Sequence, residues 1–177
     1  MLKTTLSFGL AAGLLAGVPL FAIVVLNRGA PPEHGMLIGY LIMLVALSLV
    51  FVAIKRRRDA DLGGVIRFWP AFGLGLAISL VAGLVYAAAW EVTLAVTKLD
   101  FGTEWAKSYL AQGKAKGLAE PELAKLAAEM EDFKAMYAKP HYRFVMTLGE
   151  IVPVGLLVSL VSAALLRNPR FMPGRRA

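Results

Sequence analysis

Glu91 and Glu150 are the two acids that fall inside long apolar stretches of this sequence. A charge in such a stretch is costly and normally faces protein or a water-filled space. Glu91 lies about five residues from the end of its stretch and Glu150 about six residues into the next, which predicts similar depth at about 1.5 Å per residue. Arg143 precedes Glu150 by seven residues, two helical turns away on the same face. Tyr86 and Trp90 are one turn apart, and Trp90 adjoins Glu91. The spacing predicts a polar cluster of Glu91, Glu150, Arg143, Tyr86 and Trp90, with His141 beside it. Three chemistries fit such a cluster. Ion pairs and hydrogen bonds would lock two helices together. A desolvated carboxylate would bind and release a proton or cation in a pathway. Convergent acid and base groups would act on a lipid or an external substrate, given a pocket.

Other chemistry has little to stand on. The sequence has no cysteine, which removes disulfides, thiolate metal sites and thiol catalysis. Its only histidines are His34 and His141, too few for a convincing metal set, so no metal and no cofactor are expected. There is no G-x-x-x-x-G-K, no H-E-x-x-H and no G-x-S-x-G, so an enzyme is disfavoured. The net charge of +7 carries no nucleic-acid recognition motif beside it, and nucleic acid is not expected as a partner.

The elements that hold these residues are read from hydropathy. Of the 177 residues 58% are hydrophobic and only 18% charged, an excess that a core of this size cannot hide from water. A spanning helix needs about twenty apolar residues. Residues 6–26, 35–54, 71–96 and 144–166 qualify, the third being long enough to tilt or protrude. The first also follows Lys3 as a signal peptide would. It is long for one, however, and the best cleavage site, Leu20-Phe21-Ala22, is bulky where small residues are wanted, so retention is expected.

Basic residues near span ends stay in the cytoplasm. Lys55, Arg56, Arg57, Arg58 and Arg67 follow span two against Asp59 and Asp61, and Arg167, Arg170, Arg175 and Arg176 follow span four. The first loop has Arg28 opposed by Glu33, and the loop between spans three and four has as many acids as lysines. Four spans with both termini cytoplasmic satisfy these counts. Lys55, Arg56, Arg57 and Arg58 are then expected to contact anionic lipid heads. Phe68 and Trp69 inside, and Trp90, Tyr142 and Phe144 outside, are expected interface anchors.

Residues 97–142 form the one sizeable polar region. Phe101, Trp105 and Tyr109 share a helical face. Beyond Gly113 and Gly117 a second helix is predicted from Glu120, with Pro121 in its first turn and an apolar stripe of Leu123, Leu126, Ala127, Met130, Phe133 and Tyr137. The expected fold is therefore an all-α membrane protein, a single domain over 1–177 with four spans and an extracytoplasmic amphipathic helical hairpin. The hairpin either caps the bundle or docks on a partner or the lipid surface.

Small residues let helices approach closely in lipid. Gly9, Gly13 and Gly17 recur every fourth residue, as do Ala71, Gly75, Ser79, Gly83 and Ala87, and then Gly155, Ser159 and Ala163. Spans one, three and four are expected to pack tightly, within one chain or between copies.

The chain resembles the bacterial integral membrane proteins grouped as domain-of-unknown-function family 4199. The likeness rests on Gly35-Met36-Leu37-Ile38-Gly39-Tyr40, Phe51-Val52-Ala53-Ile54-Lys55-Arg56, Gly63-Gly64-Val65-Ile66, Ala71-Phe72, Tyr86 with Trp90-Glu91, and Glu150 through Pro153-Val154-Gly155. It covers nearly the whole chain and implies a bacterial inner-membrane location, with no activity to carry over. Three functions stay open. The first is non-enzymatic action through helix association, as a homo-oligomer or accessory subunit among membrane lipids. The second is a small proton- or cation-linked transporter or channel using Glu91 and Glu150, against which stands the lack of an inverted repeat. The third is a lipid-modifying enzyme.

Overall fold

The structure is a computed structural model that describes residues 1–27 and 34–174. Arg28, Glu33, Arg175 and Arg176, which entered the charge count, lie outside the described residues. Six helices and no strand occur among those described: α1 (Leu2–Leu26), α2 (Gly35–Asp61), α3 (Phe68–Thr97), α4 (Phe101–Ala115), α5 (Glu120–Tyr137) and α6 (Pro140–Leu166). Four of them, α1, α2, α3 and α6, are long and apolar enough to cross a membrane. Their outward faces carry Leu10, Leu14, Leu41, Leu44, Leu157 and Leu160, all exposed. In water such a continuous apolar coat would drive association; in lipid it is solvated. This is a multi-pass membrane protein.

The helices outrun the apolar stretches that predicted them. Hydropathy marks the lipid zone, whereas a helix continues while its backbone bonds are satisfied. Thus α2 carries on through the charged residues to Asp61, where Gly63 and Gly64, at φ +63° and +91°, turn the chain and the Gly64 N–H donates to the Arg58 carbonyl at 2.8 Å. At its other end α6 opens at Pro140, earlier than the expected 144, with the proline in the first turn where its missing N–H does no harm.

Small residues set the packing of the long helices. A Cβ added to Gly9 would lie 2.6 Å from the Val81 Cβ, one on Gly13 2.5 Å from the Val85 Cβ, and one on Gly17 2.7 Å from the Ala89 Cβ. The register rises on both helices together, so α1 and α3 run parallel at close range. Between α3 and α6 the order reverses: Gly75 faces Ser159 and Gly155 faces Ser79. The Ser79 hydroxyl lies 3.3 Å from that of Ser159 and donates to the Gly155 carbonyl at 3.4 Å. Gly83 lies against Ile151, and Ala163 is buried. α2 packs against α1 and α6 and touches α3 across the bundle, whereas α1 and α6 stand apart. The three small-residue stripes are thus occupied within a single chain.

α4 and α5 pack on each other at the end where α3 stops and α6 starts. Asp100 caps α4 by accepting from the Thr103 N–H at 3.1 Å and the Thr103 hydroxyl at 2.6 Å, contacts that hold its carboxyl below the usual range. Glu122 accepts from the Ala119 N–H at 3.1 Å at the start of α5. Leu123, Leu126, Ala127, Met130 and Phe133 are half-buried and Tyr137 is buried, so the apolar stripe of α5 faces inward. Gly113 admits the close approach of Leu126, 2.9 Å from where a Cβ would sit.

At the opposite end Arg58 corrects the expectation of a lipid contact. Its side chain is wholly buried. The guanidinium donates to Asp59 at 2.6 Å, to the Phe171 carbonyl at 2.9 Å and to the Met172 carbonyl at 2.6 Å. The residues after α6 fold back over it, with the Phe171 ring edge-on to Phe51 at 6.4 Å. Lys55 is tied to Asp59 at 2.6 Å. Arg56 is exposed and Arg57 half-exposed.

Candidate functional site

The expected polar cluster divides in two. Glu91 on α3 is held by Arg143 on α6 through a two-pronged ion pair, Nε to Oε1 at 2.9 Å and Nη2 to Oε2 at 2.6 Å. Such a fork fixes both distance and angle. Arg143 also donates to the Tyr137 carbonyl at 3.3 Å, and its guanidinium carbon lies 5.9 Å from the centre of the Tyr137 ring. One side chain therefore ties α3, the end of α5 and the start of α6. Around it lies a small open cleft of about 410 Å³ with Lys98, Asp100 and Lys134 on its walls.

Aromatic residues continue this junction. The Trp90 indole N–H donates to the Tyr137 hydroxyl at 2.7 Å. Burial pushes the Tyr137 phenol up to about 12, so it stays neutral. Phe101 packs edge-on to Trp90 at 5.1 Å and stacks on Trp105 at 5.6 Å, and Tyr109 follows Trp105 at 5.5 Å. Tyr137 as partner of Trp90 was not anticipated from the sequence. It ends the apolar stripe of α5, which is the signal that could have pointed inward.

Glu150 borders a different space from Glu91. It borders a cavity of about 800 Å³ roofed by α4 and α5 and walled by the four long helices, together with Tyr40, Met43, Tyr86, Met146 and Thr147. Glu150 is exposed and contributes to the wall of this cavity. Its carboxylate receives no hydrogen bond or ion pair from any described residue. Tyr86 and Trp90 are buried and line the same cavity. His141 is exposed on the first turn of α6 and borders neither space, which removes it from the cluster. A lone ring at a helix start has no neighbouring element to draw it inward.

A family described as "Protein of unknown function (DUF4199)" has a sequence pattern that matches residues 7–168. The chain belongs to this family. No curated protein and no solved structure matches it. In this DUF4199 member the matched stretch takes in most of α1, the whole of α2, α3 and α6, the Glu91–Arg143 pair and the Glu150 cavity. No cluster of three metal-ligating side chains occurs among the described residues.

The paired carboxylate predicts a stability effect. Arg143→Ala leaves a partly buried Glu91 without its cation and should cost about 2 kcal/mol, allowing for its partial exposure. Glu91→Gln should cost less, since an amide can still accept from Arg143. Thermal unfolding in detergent reads the difference, and equal, unchanged midpoints for both variants would remove the joining role.

Proposed function

We propose that this chain is a non-enzymatic inner-membrane protein that takes a small, largely apolar ligand into the cavity beside Glu150. The observation that carries this reading is a lone carboxylate on the wall of an aromatic-lined space of about 800 Å³. Ligand sites are typically apolar hollows of about 300–1,000 Å³ with few polar anchors. Glu150 and the Tyr40 and Tyr86 side chains would fix orientation, and the rings of α4 would cover the bound molecule. Glu91, engaged by Arg143, is then a joint rather than a pathway residue.

In this reading both termini and the exposed Arg56 and Arg57 face the cytoplasm, as the charge counts favour. The α4–α5 pair forms an extracytoplasmic lid, and a bacterial cell membrane is the setting. Action through association with a second copy or a partner takes second place, because the close-packing stripes are already used inside the chain.

Gly39 offers the test. It borders the cavity, and a Cβ there would meet nothing within 4 Å. Gly39→Leu should therefore fold, gain slightly from helix propensity and intrude on the ligand space. Purified protein in nanodiscs is expected to bind the neutral fluorophore N-phenyl-1-naphthylamine saturably, with at least about tenfold weaker binding in Gly39→Leu. No saturable binding above empty nanodiscs, or equal binding by the variant, would refute the reading.

A further inference from the structure

The geometry points to a lipophilic organic cation, an ammonium or phosphonium carrying alkyl or aryl groups, as the ligand class of this cavity. The inference rests on the ligand-binding reading above and adds the sign of the ligand's charge. Glu150 is the one charged side chain among the described residues that border the space. Rings reach it from three helices: Tyr40 on α2, Tyr86 and Trp90 on α3, and Trp105 and Tyr109 on α4; Tyr137 on α5 also borders it, but Arg143 already lies over that ring. Ring faces carry negative potential and attract cations. Ring faces and carboxylate together repel anions, and with no lysine or arginine on the described wall a phosphate finds no cation there, only neutral donors such as Ser108 and Gln112. Phospholipid heads are therefore disfavoured along with free anions.

A hydrated metal ion is disfavoured for a different reason. Calcium or magnesium needs six or more oxygen ligands or retained waters, whereas this wall is mostly carbon with a single carboxylate. An organic cation brings its own apolar shell and gives up little hydration. Its charge would sit at Glu150, relieving the cost of an unpaired carboxylate, while its body lies against the rings.

Two of the three tryptophans, Trp90 and Trp105, border the cavity; the third, Trp69, does not. Full-length chain bearing Trp69→Phe, in nanodiscs, would report tetraphenylphosphonium through tryptophan fluorescence, with tetraphenylborate as the anion of like shape. Saturable quenching by the phosphonium is expected, with the borate at least about a hundredfold weaker. Glu150→Gln should weaken phosphonium binding by about thirtyfold or more, the lower end for truncating one partner of a desolvated charge pair. Glu150→Asp should retain it within about tenfold, which separates loss of charge from loss of fold, and Glu91→Gln within about twofold. Borate binding equal to phosphonium binding, or a Glu150→Gln variant with unchanged affinity, overturns the inference. If the neutral naphthylamine binds and Gly39→Leu expels it while the phosphonium does not compete, the cation class fails and the cavity reading stands. If no probe binds, both fail.

Discussion

Arg58→Ala is expected to release the segment after α6 and to lower stability by about 3 kcal/mol. The side chain is fully buried and holds the carbonyls of Phe171 and Met172. Removing a buried, hydrogen-bonded cation typically costs about 3–5 kcal/mol. The lower end applies because Asp59 keeps Lys55 at 2.6 Å and is not orphaned. Strain at Met172 favours the release and offsets a little of that cost. The residue's φ of 47° lies in the left-handed region, which a non-glycine residue occupies at some cost. The Arg58 bond at 2.6 Å holds it there. Arg58→Lys should rescue only in part, since an ammonium cannot reproduce the guanidinium fork. Limited trypsin digestion reads the release as faster cutting after Arg167 and Arg170, alongside a lower thermal midpoint in detergent. Unchanged cutting and midpoint would show that the segment is held by something else.

Gly13→Leu should do comparable or greater damage. Its Cβ would sit 2.5 Å from the Val85 Cβ and 2.8 Å from the Ala82 carbonyl oxygen. A backbone oxygen cannot swing aside as a side-chain tip can, so α1 must move off α3. Overpacking typically costs about 1–3 kcal/mol and sometimes more, and the expected result is a protein with about 3 kcal/mol less stability or one that fails to assemble. Gly17 gives the gentler version. A Cβ there meets only the Ala89 Cβ, at 2.7 Å. Gly17→Ala should destabilise, and adding Ala89→Gly should restore much of the loss by moving the methyl across the interface. A double variant no better than the single would show that α1 and α3 are not packed in this register.

Much of the scaffold was legible in the sequence because lipid imposes a simple rule. Long apolar runs became the four long helices, and the inward stripe of α5 followed the period of its leucines and aromatics. The site was legible only in part, for physical reasons. Arg143 shares a helix face with Glu150, yet it sits in the first turn of α6, where its long side chain reaches Glu91 on the neighbouring helix. Sequence spacing shows what shares a face and not what lies opposite. The cavity is a property of helix separation: α1 and α6 stand apart beneath α4, and no residue type announces a gap. Arg58 was missed although a signal existed. Met43, Leu47, Val50 and Ile54 point into the bundle, and the same period brings Arg58 next. A run of four basic residues read as one cytoplasmic cluster hid the member that turns inward.

The absence of cysteine from the sequence makes the accessibility of the Glu150 cavity directly measurable. Thr147→Cys and Met43→Cys would each place a single thiol on its wall, and Leu157→Cys would place one on the exposed apolar face of α6. In nanodiscs, the two cavity thiols are expected to react with a small water-soluble methanethiosulfonate reagent at least about tenfold faster than the outward-facing one, and bound phosphonium should slow them. If the cavity thiols were as inert as the one at position 157, with or without ligand, Glu150 would face packed protein and the account would be contradicted.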